Sequence, residues 1–392
     1  MKILYLLPGG LFNSGGMERV VSIKANYFAE KAGYEVAIVT TEQMGRPVFY
    51  PLSEKILLYH LDIGFSEQFG KESYSQKIIS RFQKSRTYKK KLSDLLEEIR
   101  PDITISTLGG WDIDFINSLK DGSIKIGELH FPGNYRQLMA HKLSKAFLPN
   151  WVAKIRTRIF KNECQKLSHL VVLTEEEKSS WENAANITVI PNPTPFYIPE
   201  SSSTLNKKAI AVGRLVYEKG FDWMIEAWEM VVEKHPDWQL DIFGSGDQKE
   251  TLRSLIKKYH LENSVVIHEP TNQIEQEYLN HSILLFTSRY LDALPMVLIE
   301  ASVCGLPLVS FDTPCGPKDV IQDGFNGFLV KTGNLDGLVN RINQLIESDD
   351  LRQTMGKNAK TRASVYQIEI IMQQWIQLFE KLKNENNYIV RH

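Results

Sequence analysis

The chain has 392 residues, of which 43% are hydrophobic and 24% are charged, a composition typical of a folded globular protein. It excludes a disordered, collagen-like or coiled-coil chain, and at about 100–200 residues per domain the length predicts two domains. The formal net charge of −1 provides no overall field to attract nucleic acid. Residues 1–195 hold 26 Lys and Arg against 21 Asp and Glu, and the remainder holds 20 against 26. We therefore expect unlike partners for the two halves.

The cysteines and the N-terminus indicate the compartment. Cys164, Cys304 and Cys315 form no C-x-x-C pair, which argues against a disulfide framework or a structural zinc site and favours a reducing compartment. The apolar run at 3–7 stops at Pro8 and is too short for a secretory signal. No stretch approaches the ~18 apolar residues of a membrane span. We predict a cytoplasmic protein that could lie peripherally at the inner face of the cell membrane.

Short apolar runs alternate with longer amphipathic stretches. Strands are predicted at 3–7, 35–40, 102–106, 124–128, 170–173 and 187–190, and again at 209–212, 239–243, 264–267, 283–286 and 307–310. Helices are predicted at 17–31, 220–234, 247–260 and 364–384. This alternation predicts βαβ units, hence an α/β fold with parallel sheets.

A proline-rich segment marks the predicted domain boundary. Four prolines fall within 191–199, and Ser201-Ser202-Ser203 follows them, so this segment is neither a helix nor a central strand. We predict two doubly wound domains at 1–195 and 205–365. A last helix at 366–392 is expected to pack back on the first domain. Ligand sites of such domains lie at the carboxyl ends of the strands.

Two loops follow the first strand of each predicted domain. Residues 8–19 contain Gly9, Gly10, Gly15 and Gly16 and open a helix, so the backbone can approach an anion closely; a flexible turn is the alternative. Residues 212–222 carry Arg214 and Lys219 near a helix start. Two cations there would suit a diphosphate, although solvated surface charges would look the same.

A third loop, at 287–307, carries two acids eight positions apart. Asp292 follows a strand, and Glu300 lies in a helix for which Pro295 is predicted near the first position. The two carboxylates could bracket one ligand, with helix N–H groups between them for phosphate. The alternative for Glu300 is a first-turn acid that answers the helix dipole.

Together these loops resemble the family 4 retaining glycosyltransferases, which have the GT-B fold of two Rossmann-like domains facing a cleft. The matching segments are 15–19, 213–220, 295–307, 316–317 and 323–330. The likeness covers nearly the whole chain and is densest between 205 and 330. It implies an N-terminal acceptor-binding domain and a C-terminal domain that binds the nucleotide-sugar donor.

The resemblance also implies roles for particular residues. Arg214 and Lys219 match the pair that binds the donor pyrophosphate, and Glu300 matches the acid that binds the ribose hydroxyls. Gly16, with Gly15 and Glu18 beside it, matches the glycine that lies against the donor phosphate and sugar. His130 resembles a histidine near the donor sugar, although a satisfied core histidine is the alternative. The remaining implied donor contacts are Leu294, Pro295, Met296 and Val297.

One position departs from the family pattern. The first acid of the E-x7-E motif is Asp292, and Leu291 is effectively inserted before it. The side chain is one methylene shorter than glutamate, but its spacing to Glu300 is kept. We predict that Asp292 contacts the transferring sugar.

The implied activity is transfer of a sugar, from a UDP-sugar by preference, to a lipid-linked or saccharide acceptor in capsule, exopolysaccharide or lipopolysaccharide synthesis. Such a hexosyltransferase would need no metal or other cofactor. The alternatives are a sugar-phosphate or sucrose-type synthase with a soluble acceptor, and a non-enzymatic nucleotide-sugar-binding protein.

Two other motifs point to different chemistry. Asp112-Ile113-Asp114 has the D-x-D spacing of a metal site, but we predict that it opens a helix with Asp112 as its N-cap. Gly244-Ser245-Gly246 follows a strand, but Lys249 occupies the place of the third glycine in a dinucleotide fingerprint. We therefore expect neither a metal site nor a nicotinamide cofactor.

Two basic stretches lie in the first half, at 77–91 and 136–166. The first has no acid and the second has only Glu163. Trp151, Ile155 and Ile159 recur at helical spacing among the cations of the second stretch. They could form a core-facing stripe of an ordinary helix, or a surface that docks on an anionic membrane. No nucleic-acid motif accompanies the charge.

Overall fold

The computed structural model describes residues 1–65, 74–134, 150–181, 186–290 and 292–391. The chain divides into two compact units, Met1–Pro193 with Ile371–His392, and Thr194–Ile370. The break falls inside the proline-rich segment, where the missing N–H groups prevent continuous helix or sheet. Both units are α/β.

The first unit is built on a seven-stranded parallel sheet with the order β3-β2-β1-β4-β5-β6-β7. Its strands are β1 (Lys2–Leu7), β2 (Glu35–Thr40), β3 (Ile56–His60), β4 (Ile103–Ser106), β5 (Ile124–Glu128), β6 (His169–Val172) and β7 (Ile187–Val189). Its helices are α1 (Gly16–Glu30), α2 (Tyr74–Ile99), α3 (Asn150–Gln165), α4 (Glu175–Ser179) and α12 (Ile368–Arg391).

The second unit has a six-stranded parallel sheet with the order β10-β9-β8-β11-β12-β13. Its strands are β8 (Lys208–Val212), β9 (Gln239–Phe243), β10 (Val265–His268), β11 (Ile283–Phe286), β12 (Leu308–Asp312) and β13 (Gly327–Lys331). Its helices are α5 (Phe221–Lys234), α6 (Lys249–Lys258), α7 (Ile274–Leu279), α8 (Met296–Val303), α9 (Pro317–Val320), α10 (Leu335–Ile346) and α11 (Asp349–Ala363).

The central strands form because their residues are apolar on both faces. β1 and β4 are buried almost throughout, as are β11 and most of β12, and helices cover both faces of such parallel sheets. The sequence analysis missed two of the edge strands, β3 and β13, each only five residues long. The predicted α/β class with two parallel, doubly wound sheets is confirmed.

The strand order reverses at one point in each sheet. It reverses between β1 and β4 in the first unit and between β8 and β11 in the second. A crevice opens outside the carboxyl ends of the strands at such a point, and ligands of doubly wound folds bind there. The loops after β1, β4 and β5, and those after β8, β11 and β12, are therefore the ones that can form sites.

The C-terminal helix α12 packs on the first unit. Phe379 lies 5.3 Å from Phe28 of α1, ring centroid to ring centroid, and Trp375 is buried. Lys383 donates to Asp102 at 3.0 Å. Apolar and polar contacts thus both join this helix to residues more than 250 positions earlier.

The apolar stripe of α3 lies on the surface of the first unit. Trp151, Ile155 and Ile159 expose 63%, 48% and 52% of their surface, so the interpretation that they face the core is wrong. The buried face of α3 carries Ala153 and Phe160 instead. The side chain of Lys77 and residues 135–149, which include Arg136, Lys142, Lys145, Phe147 and Leu148, lie outside the described residues.

Candidate active site

The loop after β8 presents the two predicted phosphate-binding cations. Arg214 is exposed, and its guanidinium makes no hydrogen bond or ion pair with any residue that the structure describes. Lys219 ends a short 3-10 helix, Tyr217–Lys219, and Gly220 then adopts a left-handed conformation with φ 65°. A Cβ on Gly220 would lie 2.2 Å from the carbonyl oxygen of Thr287, so the close approach of these two loops requires glycine.

The Gly244-Ser245-Gly246 motif supports that same loop. A Cβ on Gly244 would lie 1.9 Å from the oxygen of Gly213, and one on Gly246 would lie 2.3 Å from the oxygen of Leu215. Backbone N–H groups of Gly213 and Leu215 donate to Phe243 and Ser245 at 3.0 and 2.8 Å. The two glycines therefore let the loop after β9 pack against the backbone on either side of Arg214.

The loop after β11 brings Asp292 to Lys219. The Lys219 Nζ lies 2.5 Å from Asp292 Oδ1, and Ser288 Oγ donates to Asp292 Oδ2 at 2.5 Å. The sequence analysis assigned Lys219 to phosphate and Asp292 to sugar without predicting their ion pair. The structure thus joins an acid and a base from two loops in one polar cluster, and the inserted Leu291 lies outside the described residues.

Helix α8 begins directly after this loop. Pro295 is its N-cap, with φ −67° and ψ 111°, so the prediction of proline near the first helical position is off by one residue. Leu294, Pro295 and Met296 are buried and Val297 is half-buried. A Cβ on Gly316, in the loop after β12, would lie 2.6 Å from Pro295 Cδ, so that loop also packs against the start of α8.

Glu300 lies in the second turn of α8 and is buried. Its Oε2 accepts a hydrogen bond from the hydroxyl of Tyr278, which is also buried, at 3.0 Å. The first turn of α8 contains no acid, which rules out the alternative that Glu300 answers the dipole as a first-turn acid. A buried carboxylate fixed by a tyrosine is suited to accept hydrogen bonds from a ligand's hydroxyl groups.

In the first unit, the glycine-rich loop after β1 opens helix α1. Gly15 is the N-cap and Gly16 is the first helical residue. A Cβ on Gly15 would lie 2.2 Å from Oε2 of Glu18, so the Glu18 carboxylate folds back over the N-cap. The loop is held by the segment after β2, where Gln43 Oε1 accepts from the Leu11 N–H at 2.8 Å.

His130 follows β5 and lies in a buried charged cluster. Its Nε2 is 3.2 Å from Oε1 of Glu128, which also forms an ion pair with Lys24 of α1. Burial alone would raise the pKa of Glu128, but the Lys24 ammonium and the His130 ring outweigh it and hold the pKa at about 2. Glu128 is therefore ionised beside His130. The contact with Glu128 also agrees with the alternative of a satisfied core histidine, so the role of His130 near the donor sugar stays a prediction.

Asp112 is not an N-cap. It is the first residue of a 3-10 helix, Asp112–Asp114, whose N-cap is Trp111. Its buried carboxylate accepts a hydrogen bond from the Ser106 hydroxyl, and burial raises its pKa to about 6. Within the described ranges, no group of three or more His, Cys, Asp or Glu side chains could hold a metal ion.

Sequence reasoning missed several residues that shape these loops. The most prominent is Arg289, which is buried and bonded to both the 214–220 loop and helix α5. Lys24, Glu128 and Tyr278 were also missed. Two of these residues could have been found from the sequence, because Lys24 interrupts the apolar face of α1 and Glu128 ends a predicted strand.

No helix in the part of the chain that the structure describes has the length and apolar character to cross a membrane. All three cysteines are buried thiols that form no disulfide. Burial raises the pKa of Cys304 to about 12, so its thiol stays protonated and unreactive at neutral pH.

Comparison with known proteins agrees with this geometry. The sequence model of the glycosyl transferases group 1 matches residues 199–362. An uncharacterized glycosyltransferase of Haemophilus influenzae is 30% identical over 380 residues, which cover 96% of this chain and 99% of the relative. The amylovoran biosynthesis glycosyltransferase AmsD of Erwinia amylovora is 29% identical over 387 residues, with 96% and 99% coverage.

A Campylobacter jejuni relative, named as an N-acetyl-D-galactosaminyltransferase for a diNAcBac-PP-undecaprenol-linked saccharide, is 25% identical over 389 residues and 98% of this chain. Among solved structures, TarM of S. aureus, determined in complex with UDP, superposes with a TM-score of 0.76 at 17% identity, covering 96% of this chain and 99% of TarM. Each unit has the Rossmann-like layout of the GT-B fold, and the chain belongs to the glycosyl transferases of group 1.

Proposed function

We propose that this glycosyltransferase is a retaining enzyme of the family 4 type that moves a sugar from a UDP-sugar to a lipid-linked or saccharide acceptor. The observation that carries the proposal is the cluster at the carboxyl edge of the second sheet. There Arg214 and Lys219 follow β8, while Asp292 and Glu300 follow β11. The cations suit a diphosphate and the buried acid suits ribose hydroxyls.

The names of the relatives support the acceptor class. AmsD acts in amylovoran biosynthesis, and the Campylobacter relative extends an undecaprenol-linked saccharide. We place this protein in the synthesis of a surface polysaccharide, such as capsule, exopolysaccharide or lipopolysaccharide, at the inner face of the cell membrane.

Charge stabilisation and positioning would carry the chemistry. As the bond between the sugar and the diphosphate breaks, negative charge grows on the leaving phosphate, and Arg214 and Lys219 would stabilise it. The departing phosphate would help to remove the proton of the attacking hydroxyl on the same face of the sugar. Asp292 would fix the position of Lys219 relative to the sugar. With two cations at the diphosphate, the reaction would need no divalent metal.

The test is nucleotide release from each common UDP- and GDP-sugar, followed by Arg214→Ala and Lys219→Ala with the best donor. Each substitution should remove ~2–4 kcal/mol of transition-state stabilisation with the fold intact. Lys234→Ala is a matched control, because Lys234 forms an exposed ion pair with Glu347 at the far end of α5. Turnover near that of the control in both variants would contradict the diphosphate assignment.

We further propose that the first unit docks on an anionic bilayer through α3. Trp151, Ile155 and Ile159 are spaced four residues apart and lie on one face, and exposed cations at Lys154, Arg156 and Arg158 flank them. An exposed apolar stripe beside cations is the pattern of an interfacial helix, and each cation contributes about 1 kcal/mol near an anionic surface. Docking would bring a lipid-linked acceptor to the enzyme in the membrane plane.

Flotation with liposomes that contain anionic lipid tests this proposal. The protein should float at low salt and be released at high salt, because the Debye length shrinks. Replacing Trp151, Ile155 and Ile159 with serine should abolish flotation, whereas Leu205→Ser, at an exposed apolar residue of the second unit, should not. Failure of the wild type to float at low salt would remove the membrane proposal and favour a soluble acceptor.

A further inference from the structure

Arg289 is a buried cation between the two loops that carry the proposed donor-binding residues. Its side chain is 5% exposed, and burying a guanidinium is costly unless its N–H groups are bonded. It lies three residues before Asp292 and is joined to the backbone of the segment that ends at Lys219. Contacts within the protein are sufficient to explain why Arg289 is buried, without a direct role in binding donor or acceptor.

Several contacts fix the guanidinium in one place. Nη1 and Nη2 donate to the two carboxylate oxygens of Asp222 in α5, at 2.8 and 2.6 Å, and Nη1 also donates to the oxygen of Tyr217 at 2.6 Å. The guanidinium carbon lies 4.2 Å from the centre of the Tyr217 ring and 3.8 Å from that of Trp223. Bidentate pairing together with stacking is a geometry that lysine does not reproduce.

Neighbouring residues extend the same connection. The backbone N–H of Arg289 donates to the oxygen of Glu218 at 2.8 Å, and Ser288 Oγ, which donates to Asp292, lies 3.1 Å from the same oxygen. Thr287 Oγ1 donates to the oxygen of Gly220 at 2.9 Å. The 217–220 segment is thus bonded along its length to 287–289, and the Lys219–Asp292 ion pair lies at the end of this connection.

We infer that Arg289 is a positioning residue that holds Lys219 and Asp292 in one fixed arrangement. It acts through Asp222 and the 217–220 backbone rather than by touching substrate. The inference about Lys219 and Asp292 stands on geometry alone, while its catalytic consequence rests on the proposed function. Because Lys219 and Asp292 are already fixed, they lose little conformational freedom when a diphosphate binds. A small displacement of either group would lower the reaction rate substantially.

Arg289→Lys keeps the charge and removes the bidentate, stacked geometry. Arg352→Lys is the matched control, because Arg352 is equally buried in the same unit, donates to the oxygens of Thr204 and Ile346 at 2.8 Å, and lies over Trp238. Asp222→Asn is a milder second variant that breaks the same pair if Arg289→Lys fails to fold. Thermal melts establish which variants have matched stability.

Two measurements then decide the matter. Amine labelling of Lys219 by acetic anhydride, followed by mass spectrometry, reports whether Nζ is still held by Asp292, and it does not depend on activity. We expect faster labelling of Lys219 in Arg289→Lys and Asp222→Asn, and unchanged labelling in Arg352→Lys. In parallel, kcat/KM should fall about 10- to 100-fold in the first two variants and little in the control.

A double-mutant comparison separates the two levels of inference. In a Lys219→Ala background, Arg289→Lys should cause little further loss, because residues that act through one another are not additive. Labelling of Lys219 that stays at the control level would overturn the positioning role. Faster labelling with unchanged kcat/KM would retain that role and refute the catalytic assignment of Lys219.

Discussion

The ion pair between Lys24 and Glu128, whose carboxylate also contacts His130, allows a quantitative test of what stabilises the first unit. The side chains of Lys24 and Glu128 are each 1% exposed and form an ion pair. The Lys24 Nζ also lies 4.4 Å from the centre of the Trp375 ring of α12. Lys24→Met keeps most of the side-chain volume, removes the charge, and leaves the Glu128 carboxylate buried without its cation.

The expected loss follows from that burial. Removing one partner of a buried ion pair costs about 3–5 kcal/mol, and the lost cation–π contact can add about 2 kcal/mol where the cation is desolvated. For a unit of this size, each kcal/mol lowers Tm by about 2–4 °C. We therefore expect the transition of the first unit to fall by about 6–28 °C.

Calorimetry of the wild type and three variants provides the assay. Lys166→Met is the control, since Lys166 is exposed and pairs with a half-buried Glu163, and a pair at the surface is worth about 1 kcal/mol or less. Lys24→Met/Glu128→Gln should recover much of the loss, because no charge then remains buried. A shift no larger than that of Lys166→Met, or a double variant no more stable than Lys24→Met, would refute the reasoning.

The same pair sets a pH dependence with a definite sign. The pKa of Glu128 is about 2 in the folded chain against an ordinary 4.5. A carboxyl with a depressed pKa stabilises the fold above its unfolded pKa, and that contribution is lost as the pH falls towards the folded value. The contribution of Glu128 to the stability of the wild type should therefore be constant above about pH 4.5 and shrink below it. In Lys24→Met, burial without the Lys24 cation raises the pKa of Glu128, so the stability gap to the wild type should already begin to narrow above about pH 4.5 as the pH falls.

Three further outcomes are expected. Glu300→Gln should weaken UDP binding, because it removes a charged acceptor for ribose hydroxyls, whereas Asp292→Asn should lower sugar transfer without weakening UDP; equal losses of UDP affinity by calorimetric titration would contradict this division. Activity should persist in excess EDTA. If EDTA abolished activity and Mn²⁺ restored it, Asp112 and Asp114 would again be candidate metal ligands. Burial lowers the pKa of His169 from 6.5 to about 4, so the fold should lose stability as the pH falls through that window, and His169→Gln should flatten this part of the stability profile.

The sequence by itself determined the fold class and the order of the loops. Continuous apolar runs such as those in Glu35–Thr40 and Ile283–Phe286 are accommodated best inside a sheet covered on both faces, and their bounds were predicted correctly. The edge strand Ile56–His60 was missed although its Ile-Leu-Leu-Tyr run is apolar, because so short an apolar run cannot be told from part of a helix by periodicity alone. The motif residues at 213–220 and 295–300 were found because glycines, prolines and charges at strand ends are local signals.

Only the tertiary structure decided what each charged residue contacts. Lys219 meets Asp292 across 73 positions, Arg289 meets Asp222 across 67, and Lys24 meets Glu128 across 104. Helical or strand periodicity places a side chain on a face, but it carries no information on which distant loop will arrive there. The apolar stripe of α3 is a further example, because its helical spacing is the same whether Trp151 faces the core or the solvent. The stripe is exposed because Ala153 and Phe160 occupy the buried face, a choice that packing against the rest of the unit makes.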